Sequence, residues 1–296
     1  MPITMFKLNN YYHSFNMIVL KNNMRLLIIL CCINCSILSI AQNKKKSEPF
    51  FKAMYFQWGY NTEWFTKSNI HFKMSNGDNF TLHNVAAHDA TDFDAIYKKP
   101  LDISIPQYNY RFGFYLNSEK TKALEINFDH AKYIVTDFQK VKVTGNINGI
   151  QINADSILNP ATFLHFEHTD GANWLHFNYV QQQTLLTTAK LKRKLITWLW
   201  KIGAGINIPR TDFTWKGDKL NNNFHIAGYN ISAESGYRWY LKNNFFIEAT
   251  GKTGYVKYIN ALANTTTTNG NRAKHGFGYF ELIATFGFDI PFKPKK

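Results

Sequence analysis

The feature that most constrains the fold is an alternation of side-chain types with a period of two, seen most clearly in residues 228–239, GYNISAESGYRW. One set of alternate positions is mostly apolar and ends in Tyr237 and Trp239, whereas the other is small or polar and includes Glu234 and Arg238. Successive side chains of a β-strand point to opposite faces, so this pattern predicts a strand with two unlike faces. The pattern does not by itself say which face meets water.

The same alternation recurs in eight segments and predicts an all-β protein. The connections between segments are alternately long and short. An eight-stranded antiparallel up-and-down transmembrane β-barrel has this spacing, because such barrels combine short periplasmic turns with longer external loops. The predicted strands are residues 53–61, 105–115, 122–134, 173–182, 194–207, 228–239, 245–255 and 276–290.

Charge placement indicates which face of each strand points into the barrel. Nine charged residues in mid-segment share the face that carries most of the strand glycines. If that face met lipid, about 2 kcal/mol per charge would sum to about 18 kcal/mol, which exceeds the roughly 5–15 kcal/mol by which folded proteins are stable. The predicted charge network of the lumen is therefore Arg111, Glu125, Asp129, Lys201, Glu234, Arg238, Glu248, Lys252 and Glu281.

The opposite face is bulky and apolar, and it is predicted to meet the bilayer, with Tyr and Trp near the strand ends forming interfacial girdles. Glu234 and Arg238 are about 13 Å apart along their strand, at about 3.3 Å per residue, so each is expected to pair with charges on neighbouring strands. The predicted lipid-interface aromatics are Trp58, Tyr60, Trp198, Trp200, Tyr237 and Trp239.

The segment MRLLIILCCINCSILSIAQ, residues 24–42, predicts a secretory signal peptide, with an N-terminal membrane anchor as the alternative. All three cysteines lie within it, so the mature chain is expected to need no disulfide. The predicted organisation is an upstream extension (1–23), the signal peptide (24–41), a short basic periplasmic segment (42–51), the barrel (52–292) and a basic tail (293–296).

The formal net charge of +14 raises the question of nucleic-acid binding. The basic residues cluster at the predicted mature N-terminus, in one connection and at the C-terminus, and export separates the chain from nucleic acid. The expected partners are instead outer-membrane lipid and lipopolysaccharide, together with the barrel assembly machinery during biogenesis.

Four stretches, SIAQ, FQWGYN, FEHTDGANW and FHIAGYNISAESGYRW, resemble small outer-membrane barrel proteins of Bacteroidota for which no activity is established. The plan is also similar to the membrane domain of the OmpA type. The resemblance implies a barrel scaffold in the outer membrane and no transferable activity. The expectation is that no periplasmic peptidoglycan-binding domain follows Ile290.

The densest polar cluster, residues 165–173, is the main candidate for chemistry, and the enzymes to compare it with are lipid A deacylases and acyltransferases of the outer membrane. An outer-membrane lipid A deacylase uses a nucleophilic Ser with a His base and an orienting acid; here His168 and Asp170 supply base and acid, but Thr169 stands between them. The alternative is a loop-to-strand transition with a turn at Asp170-Gly171. His165, His168 and His176 are also candidate metal ligands, but residues three apart point to opposite faces of a strand, so no metal and no cofactor are predicted.

The function predicted from the sequence is a structural or surface-interaction role for a barrel with a side-chain-filled lumen, without catalysis. The alternatives are an enzyme that modifies lipid A or phospholipid acyl chains, and a narrow channel for small solutes. In the external loops, residues 64–74 are expected to extend the first hairpin, and the pairs at 145–146, 148–149 and 269–270 are expected at hairpin tips.

Overall fold

The computed structural model describes residues 49–99, 107–189, 193–242 and 244–292. The predicted upstream extension and signal peptide lie outside the described residues, as do most of the basic segment 42–51 and the tail 293–296. The described part is mainly antiparallel β-structure with one short helix, α1 (Phe93–Lys98). Within these ranges, no helix has both the length and the apolar character needed to cross a bilayer.

Seventeen strands are present in the described residues. In chain order they are β1 (Ala53–Phe65), β2 (Ser68–Lys73), β3 (Asn79–Val85), β4 (Ala87–His88), β5 (Asn109–Tyr115), β6 (Lys122–Asp129), β7 (Tyr133–Val135), β8 (Lys140–Ile147), β9 (Ile150–Ile157), β10 (Leu164–His168), β11 (Trp174–Thr187), β12 (Lys194–Asn207), β13 (Asp212–Trp215), β14 (Asp218–Asn221), β15 (Gly228–Tyr240), β16 (Phe245–Leu262) and β17 (Arg272–Pro291).

Eight of these strands correspond to the eight predicted segments and pair in the order β1-β5-β6-β11-β12-β15-β16-β17. Strand β17 also pairs with β1 along the full length of β1, so each of the eight has two partners within this set, which we call the ring. Strand β12 has the predicted bounds. The prediction for residues 122–134 is wrong at its end, because β6 stops at Asp129 and Tyr133–Val135 form β7 in a second sheet.

The two ends of the ring differ. At one end, Ala53 at the start of β1 lies opposite Tyr115 at the end of β5 and Pro291 at the end of β17. The short connections β5–β6, β11–β12 and β15–β16 are also at this end, which we call the short-turn end. The connections at the other end contain the nine remaining strands.

These nine strands form a structure that we call the cap, residues 66–99, 131–172, 208–227 and 259–275 among those described. Strands β2, β3, β8 and β9 extend the ring's sheet beyond β17, and a second sheet has the order β14-β13-β10-β7-β4. The prediction that these connections are mainly loops is wrong. Their strands are short, and their buried side chains pack together in one apolar core that includes Ile70, Phe72, Phe80, Leu82, Tyr133, Val143, Leu164, Phe166, Phe213 and Trp215.

The predicted hairpin tip at Asn148-Gly149 joins β8 to β9, and both residues have positive φ (54° and 76°), as a two-residue hairpin turn of this type requires. The pair at 145–146 is not a tip, because it lies inside β8. Residues 64–74 include β2, which pairs with β3 and with the start of β17, so the first hairpin does extend beyond the ring.

Strand β17 runs through both the cap and the ring, and its buried and outward positions alternate along its whole length. In the cap, Ala273, His275 and Phe277 are buried and Lys274 is exposed. In the ring, beyond Tyr279, the buried positions become mainly charged or polar, with Ile283 as a buried apolar exception, whereas the outward ones become mainly large and apolar. Those buried are Glu281, Thr285 and Asp289, and those outward are Phe280, Leu282 and Phe286, each between 45% and 47% exposed.

Candidate functional site: the charged lumen

The nine charged residues singled out in the sequence all lie inside the ring, and none has a relative exposure above 4%. Their strands alternate strictly, so the charged positions share the inner face while the large apolar side chains point outward. A buried charge is costly unless it is paired, so the question for this site is how four cations and five carboxylates satisfy one another.

The register of the strands supplies part of the answer. Lys201 on β12 lies directly opposite Glu234 on β15, and Glu234 lies opposite Lys252 on β16. Lys252 in turn lies opposite Glu281 on β17. Opposite charges in directly facing positions are the favourable cross-strand arrangement, and here they alternate across four neighbouring strands.

A tighter cluster occupies the middle of the lumen. The ammonium Nζ of Lys201 is 2.8 Å from Glu248 Oε1, 3.1 Å from Glu234 Oε1 and 3.2 Å from Glu125 Oε2. Arg111 Nη1 donates to both carboxylate oxygens of Glu234, at 2.8 and 3.0 Å. Two cations thus connect three carboxylates from three different strands.

Towards the short-turn end, the charged side chains contact buried aromatic side chains through Arg238. Arg238 Nε donates to Glu248 Oε2 at 2.7 Å, and Arg238 Nη1 donates to the Tyr115 hydroxyl at 2.9 Å. The guanidinium lies 4.0 Å from the ring centroid of Phe246 and 4.6 Å from that of Tyr55, within cation–π range. The Tyr55 hydroxyl completes the link by donating to Glu125 Oε2 at 2.6 Å.

Towards the cap, Lys252 is the central cation. Its Nζ contacts Asp129 and is 3.3 Å from Glu281 Oε2. It also lies 3.1 Å from Nε2 of His176, which places this histidine among the lumen charges and not beside the other two candidate metal ligands. The expected pairing of Glu234 and Arg238 with neighbouring strands is what the contacts show, through Lys201 and Glu248 respectively.

Sequence reasoning left two inner-face carboxylates out of the predicted network, Asp289 on β17 and Glu63 on β1. Glu63 is the more deeply buried of the two. It is 3% exposed and accepts from Gln107 Nε2 and from Asn61 Nδ2, each at 2.5 Å. It also lies directly opposite Glu281. Glu63 lies at an alternate position of β1 on the same inward face as Gln57 and Asn61. Extending the first predicted strand from residue 61 to residue 63 would therefore have included it.

The six predicted interface aromatics all lie on the outward face of the ring, partly exposed in each case. Tyr237 and Trp239 on β15 are 46% and 38% exposed, and Tyr237 lies opposite Trp198 on β12. These three are near the short-turn end, whereas Tyr60 is nearer the cap. Trp58 and Trp200 lie between the two ends of their strands.

The three weak catalytic candidates do not converge. His168 is buried in the cap core, with Nδ1 3.1 Å from Thr211 Oγ1 and Nε2 3.3 Å from His275 Nε2. Asp170 is exposed and instead accepts from Asn221 Nδ2 at 2.5 Å. Thr169 Oγ1 donates to Glu167 Oε1 at 2.6 Å. Burial lowers the pKa of His168 to about 3, which leaves a neutral imidazole with no acid to orient it.

His165 lies in a different environment, on the outer side of β10. Its Nδ1 donates to Asp137 Oδ1 at 2.7 Å, and its Nε2 is 3.1 Å from Glu167 Oε2. The hydrogen bond to Glu167, supported by Asp137, raises the pKa of His165 to about 9. Both ring nitrogens are therefore engaged by carboxylates. Among the described residues, no group of three or more His, Cys, Asp or Glu is arranged to hold a metal ion.

Three solved structures that resemble the chain weakly are surface or outer-membrane proteins. Neisserial surface protein A is 9% identical with a TM-score of 0.36, covering 81% of this chain and 97% of that one. The outer membrane protein OprG from Pseudomonas aeruginosa is 10% identical with a TM-score of 0.35, covering 82% and 98%. The outer membrane protease OmpT from Escherichia coli is 8% identical with a TM-score of 0.35, covering 83% and 99%.

No protein-family model and no curated protein matches the sequence. The three likenesses are too weak to transfer a role from any of those proteins, and the resemblance to barrels of Bacteroidota stays a prediction.

Proposed function

We propose that this protein spans the outer membrane as a closed eight-stranded barrel, that the charge network plugs its lumen, and that the cap presents a surface outside the cell. Its role is structural or interactive and does not involve catalysis. The observation that carries the proposal is the inversion along β17. The alternation is constant, yet the buried face changes from mainly apolar to mainly charged or polar and the outward face from polar to mainly apolar, with Ile283 as a buried exception in the ring.

A change of surroundings explains this inversion. In water, a strand buries its apolar side chains, whereas in lipid it exposes them and sequesters its charges. The change near Tyr279 therefore supports a boundary between a cap in water and a ring in hydrocarbon. It also supports an external location for the cap, since the short turns lie at the opposite end and outer-membrane barrels have their short turns in the periplasm.

The packing of the lumen supports a plug and not a channel. In a water-filled pore the charged side chains would touch solvent, but Arg111, Lys252 and Glu281 have no exposed surface at all. A barrel of eight strands is narrow enough for side chains to fill it. The channel alternative therefore receives no support from the lumen.

Hydrogen bonds connect neighbouring hairpin tips of the cap, and these contacts support a preorganised surface. The carboxylate of Asp218 accepts from the backbone N–H groups of Thr266 and Thr267, each at 3.0 Å, and also from their hydroxyls. Asn148 N donates to Asp78 Oδ1 at 2.7 Å, which joins two further tips. Ordered loops lose less conformational entropy when they bind a partner.

The outward face of the cap's larger sheet supports an anionic partner. Lys274 lies opposite His71 and Arg272 opposite Lys73, so four basic side chains occupy adjoining positions on β17 and β2. Burial together with Lys274 and Lys73 lowers the pKa of His71. Lipopolysaccharide phosphates are the anions expected at this height, and they are the partner we propose for this face.

Conductance in planar bilayers tests the plug. Insertion without discrete conductance is expected, whereas stable open steps would favour the channel. The lipid profile of intact cells tests the enzyme alternative: His168→Ala is expected to leave it unchanged.

For the basic face, Lys73→Glu with Lys274→Glu is expected to weaken binding to vesicles that contain lipopolysaccharide. The matched control is Lys122→Glu at the short-turn end, and equal losses in the two variants would contradict the proposed face.

A further inference from the structure

Two carboxyl groups at the cap end of the lumen have no cation of their own. Each of the four lumen cations can be assigned a different carboxylate partner, and the pairs are Arg111 with Glu234, Lys201 with Glu125, Arg238 with Glu248 and Lys252 with Asp129. Among the described residues, Glu63 forms no ion pair, and Glu281 has only a 3.3 Å contact with Lys252, which already contacts Asp129. Glu63 and Glu281 are therefore in excess of the positive charge.

These two carboxyl groups face each other. Glu63 on β1 lies directly opposite Glu281 on β17, and their exposures are 3% and 0%. Like charges at directly facing positions are destabilising, and burial removes the water that would stabilise each of them. When two carboxyl groups share such a site, one of them retains its proton at a pH at which an isolated carboxyl group has lost it.

Hydrogen bonds indicate which of the two stays ionised. Glu63 accepts from Asn61 Nδ2 on Oε1 and from Gln107 Nε2 on Oε2. Donors of this kind favour the charged form of a carboxyl group. Neither carboxyl oxygen of Glu281 accepts a hydrogen bond from the described residues. The contacts therefore favour a carboxylate at Glu63 and a proton on Glu281.

The neighbouring groups offer Glu281 no further positive charge. His176 Nε2 lies 3.1 Å from the Lys252 ammonium, which can only donate, so this nitrogen accepts and the imidazole is neutral. Arg111 already donates to both carboxylate oxygens of Glu234. No described group of His, Cys, Asp or Glu is arranged to hold a metal ion. Apart from Arg111 and Lys252, the charged groups that act on the pair are carboxylates: Asp89, Asp129 and Glu234.

We propose that Glu281 is a carboxylic acid in the folded ring at neutral pH and that Glu63 is its ionised partner, so that a bound proton closes the cap end of the plug. An acid also supplies an O–H donor at the end of the lumen where Asn61 Oδ1 and Gln107 Oε1 have none. Loss of the proton in alkali sets two carboxylates against each other and loosens β1 from β17. The inference deepens the proposed plug and rests on it.

Infrared spectroscopy tests the proposal, because the carbonyl stretch of a protonated carboxyl group is separate from the bands of a carboxylate. The protein is measured in heavy water and in a detergent without ester groups. The unmodified protein is expected to show this band at pH 7 and to lose it in alkali. Glu281→Gln should abolish the band at pH 7, whereas Glu63→Gln should shift its loss to lower pH.

Asp289→Asn is the matched control. Asp289 lies on the same inner face of β17, but it has its own cation, Lys120, at 2.7 Å. The control is therefore expected to keep the band at pH 7. Glu63→Gln keeps the test decisive if Glu281→Gln does not fold, since the predicted shift does not depend on the second variant.

Unfolding equilibria test the link between the proton and the closed lumen. If the folded ring holds the proton, the unfolding equilibrium constant of the unmodified protein should rise about tenfold more between pH 7 and pH 10 than that of Glu281→Gln. An equal rise in the two proteins would overturn this link.

Absence of the band from the unmodified protein at pH 7, or its persistence in Glu281→Gln, would overturn the proposal. Loss of the band at pH 7 in Asp289→Asn would also overturn it. Stable conductance of the unmodified protein at pH 7 would instead contradict the proposed plug itself, and bilayer recording detects this failure independently of the infrared band.

Discussion

The ring and the cap bury their interiors with opposite chemistry, although the same strands contribute to both. Inside the ring, Lys201 and Arg111 hold carboxylates from several strands at hydrogen-bond distance. Inside the cap, Phe72 packs against Phe80, Phe166 and Phe213, with ring centroids 5.3–5.4 Å apart. The comparison teaches that a two-faced strand can bury either face, because the charged face is buried in the ring and the apolar face in the cap. The proposed membrane location of the ring would account for this difference.

The two interiors also differ in how their stability should respond to change. Ion pairs in a closed lumen depend on every partner, because removing one leaves the others buried and uncompensated. An aromatic core loses contact area and gains a cavity, and this loss stays close to the altered side chain. The following experiments separate these two behaviours.

The largest effect is expected from Lys201→Met. It removes the cation that three buried carboxylates share, and breaking buried pairs costs roughly 3–5 kcal/mol, so the free energy of unfolding in vesicles should fall by about 5 kcal/mol. The control is Lys140→Met, whose exposed pair with Asp155 is 3.1 Å long and should be worth less than about 1 kcal/mol. A similar loss in the two variants would show that the lumen network does not stabilise the ring.

Phe72→Ala is expected to act on the cap alone. Large-to-small changes of a buried Phe cost about 3–5 kcal/mol, and the loss should appear as faster hydrogen exchange in β2, β3, β10 and β13 while the ring strands stay protected. Phe112→Ala, on the outward face of the ring, is the comparison variant. Faster exchange throughout the ring in Phe72→Ala would mean that cap and ring unfold as one unit.

Acid is expected to weaken the cap before the ring. His168 has a folded pKa of about 3, depressed by burial, against about 6.5 when unfolded, so it stays neutral in the fold. Its contribution is fully present above about pH 6.5 and falls by about 1.4 kcal/mol for each pH unit below that, down to about pH 3. Exchange in the cap measured between pH 7 and pH 5 should show this dependence, and His168→Phe should reduce it.

His165 is expected to give the opposite dependence. Its folded pKa of about 9 lies above its unfolded value, so its stabilisation is complete below about pH 6.5 and is lost as pH rises through about 9. His165→Gln should therefore reduce the loss of cap protection between pH 7 and pH 10. An unchanged alkaline profile in this variant would show that its contacts with Asp137 and Glu167 do not stabilise the cap.

The smallest effect is expected from Asp218→Asn. The substitution removes the charge from hydrogen bonds to Thr266 and Thr267. Side-chain hydrogen bonds from Thr265, Thr266 and Thr267 lower the pKa of the Asp218 carboxyl. Exchange of these two amides should become faster, while β13 and β17 keep their protection. Unchanged exchange at both amides would argue against a preorganised tip surface.

Much of the ring could be predicted from the sequence because its strands are long and strictly alternating. The bounds of β12 agree with the prediction, and so does the pairing of Glu234 with a neighbouring strand. The cap could not be predicted in the same way. Strands such as β7, β10 and β13 have three to five residues, too few for a period of two to stand out from chance.

The groove on the outer wall of the ring was also beyond the sequence. Gly251, Ala284 and Phe93 are far apart in the chain, and only the pairing of β16 with β17 and the position of α1 bring them to one groove. Likewise, no spacing in the cluster around His168 indicated that its partner is His275 and not Asp170.

The sequence by itself determined that the chain forms two-faced strands and which charged residues share a face, because side-chain direction in a strand depends only on position parity. The tertiary structure decided which of those charges meet, how the connections pack into a cap and where the wall leaves a groove. These outcomes depend on strand register and on contacts between residues distant in the chain, and no local pattern encodes either.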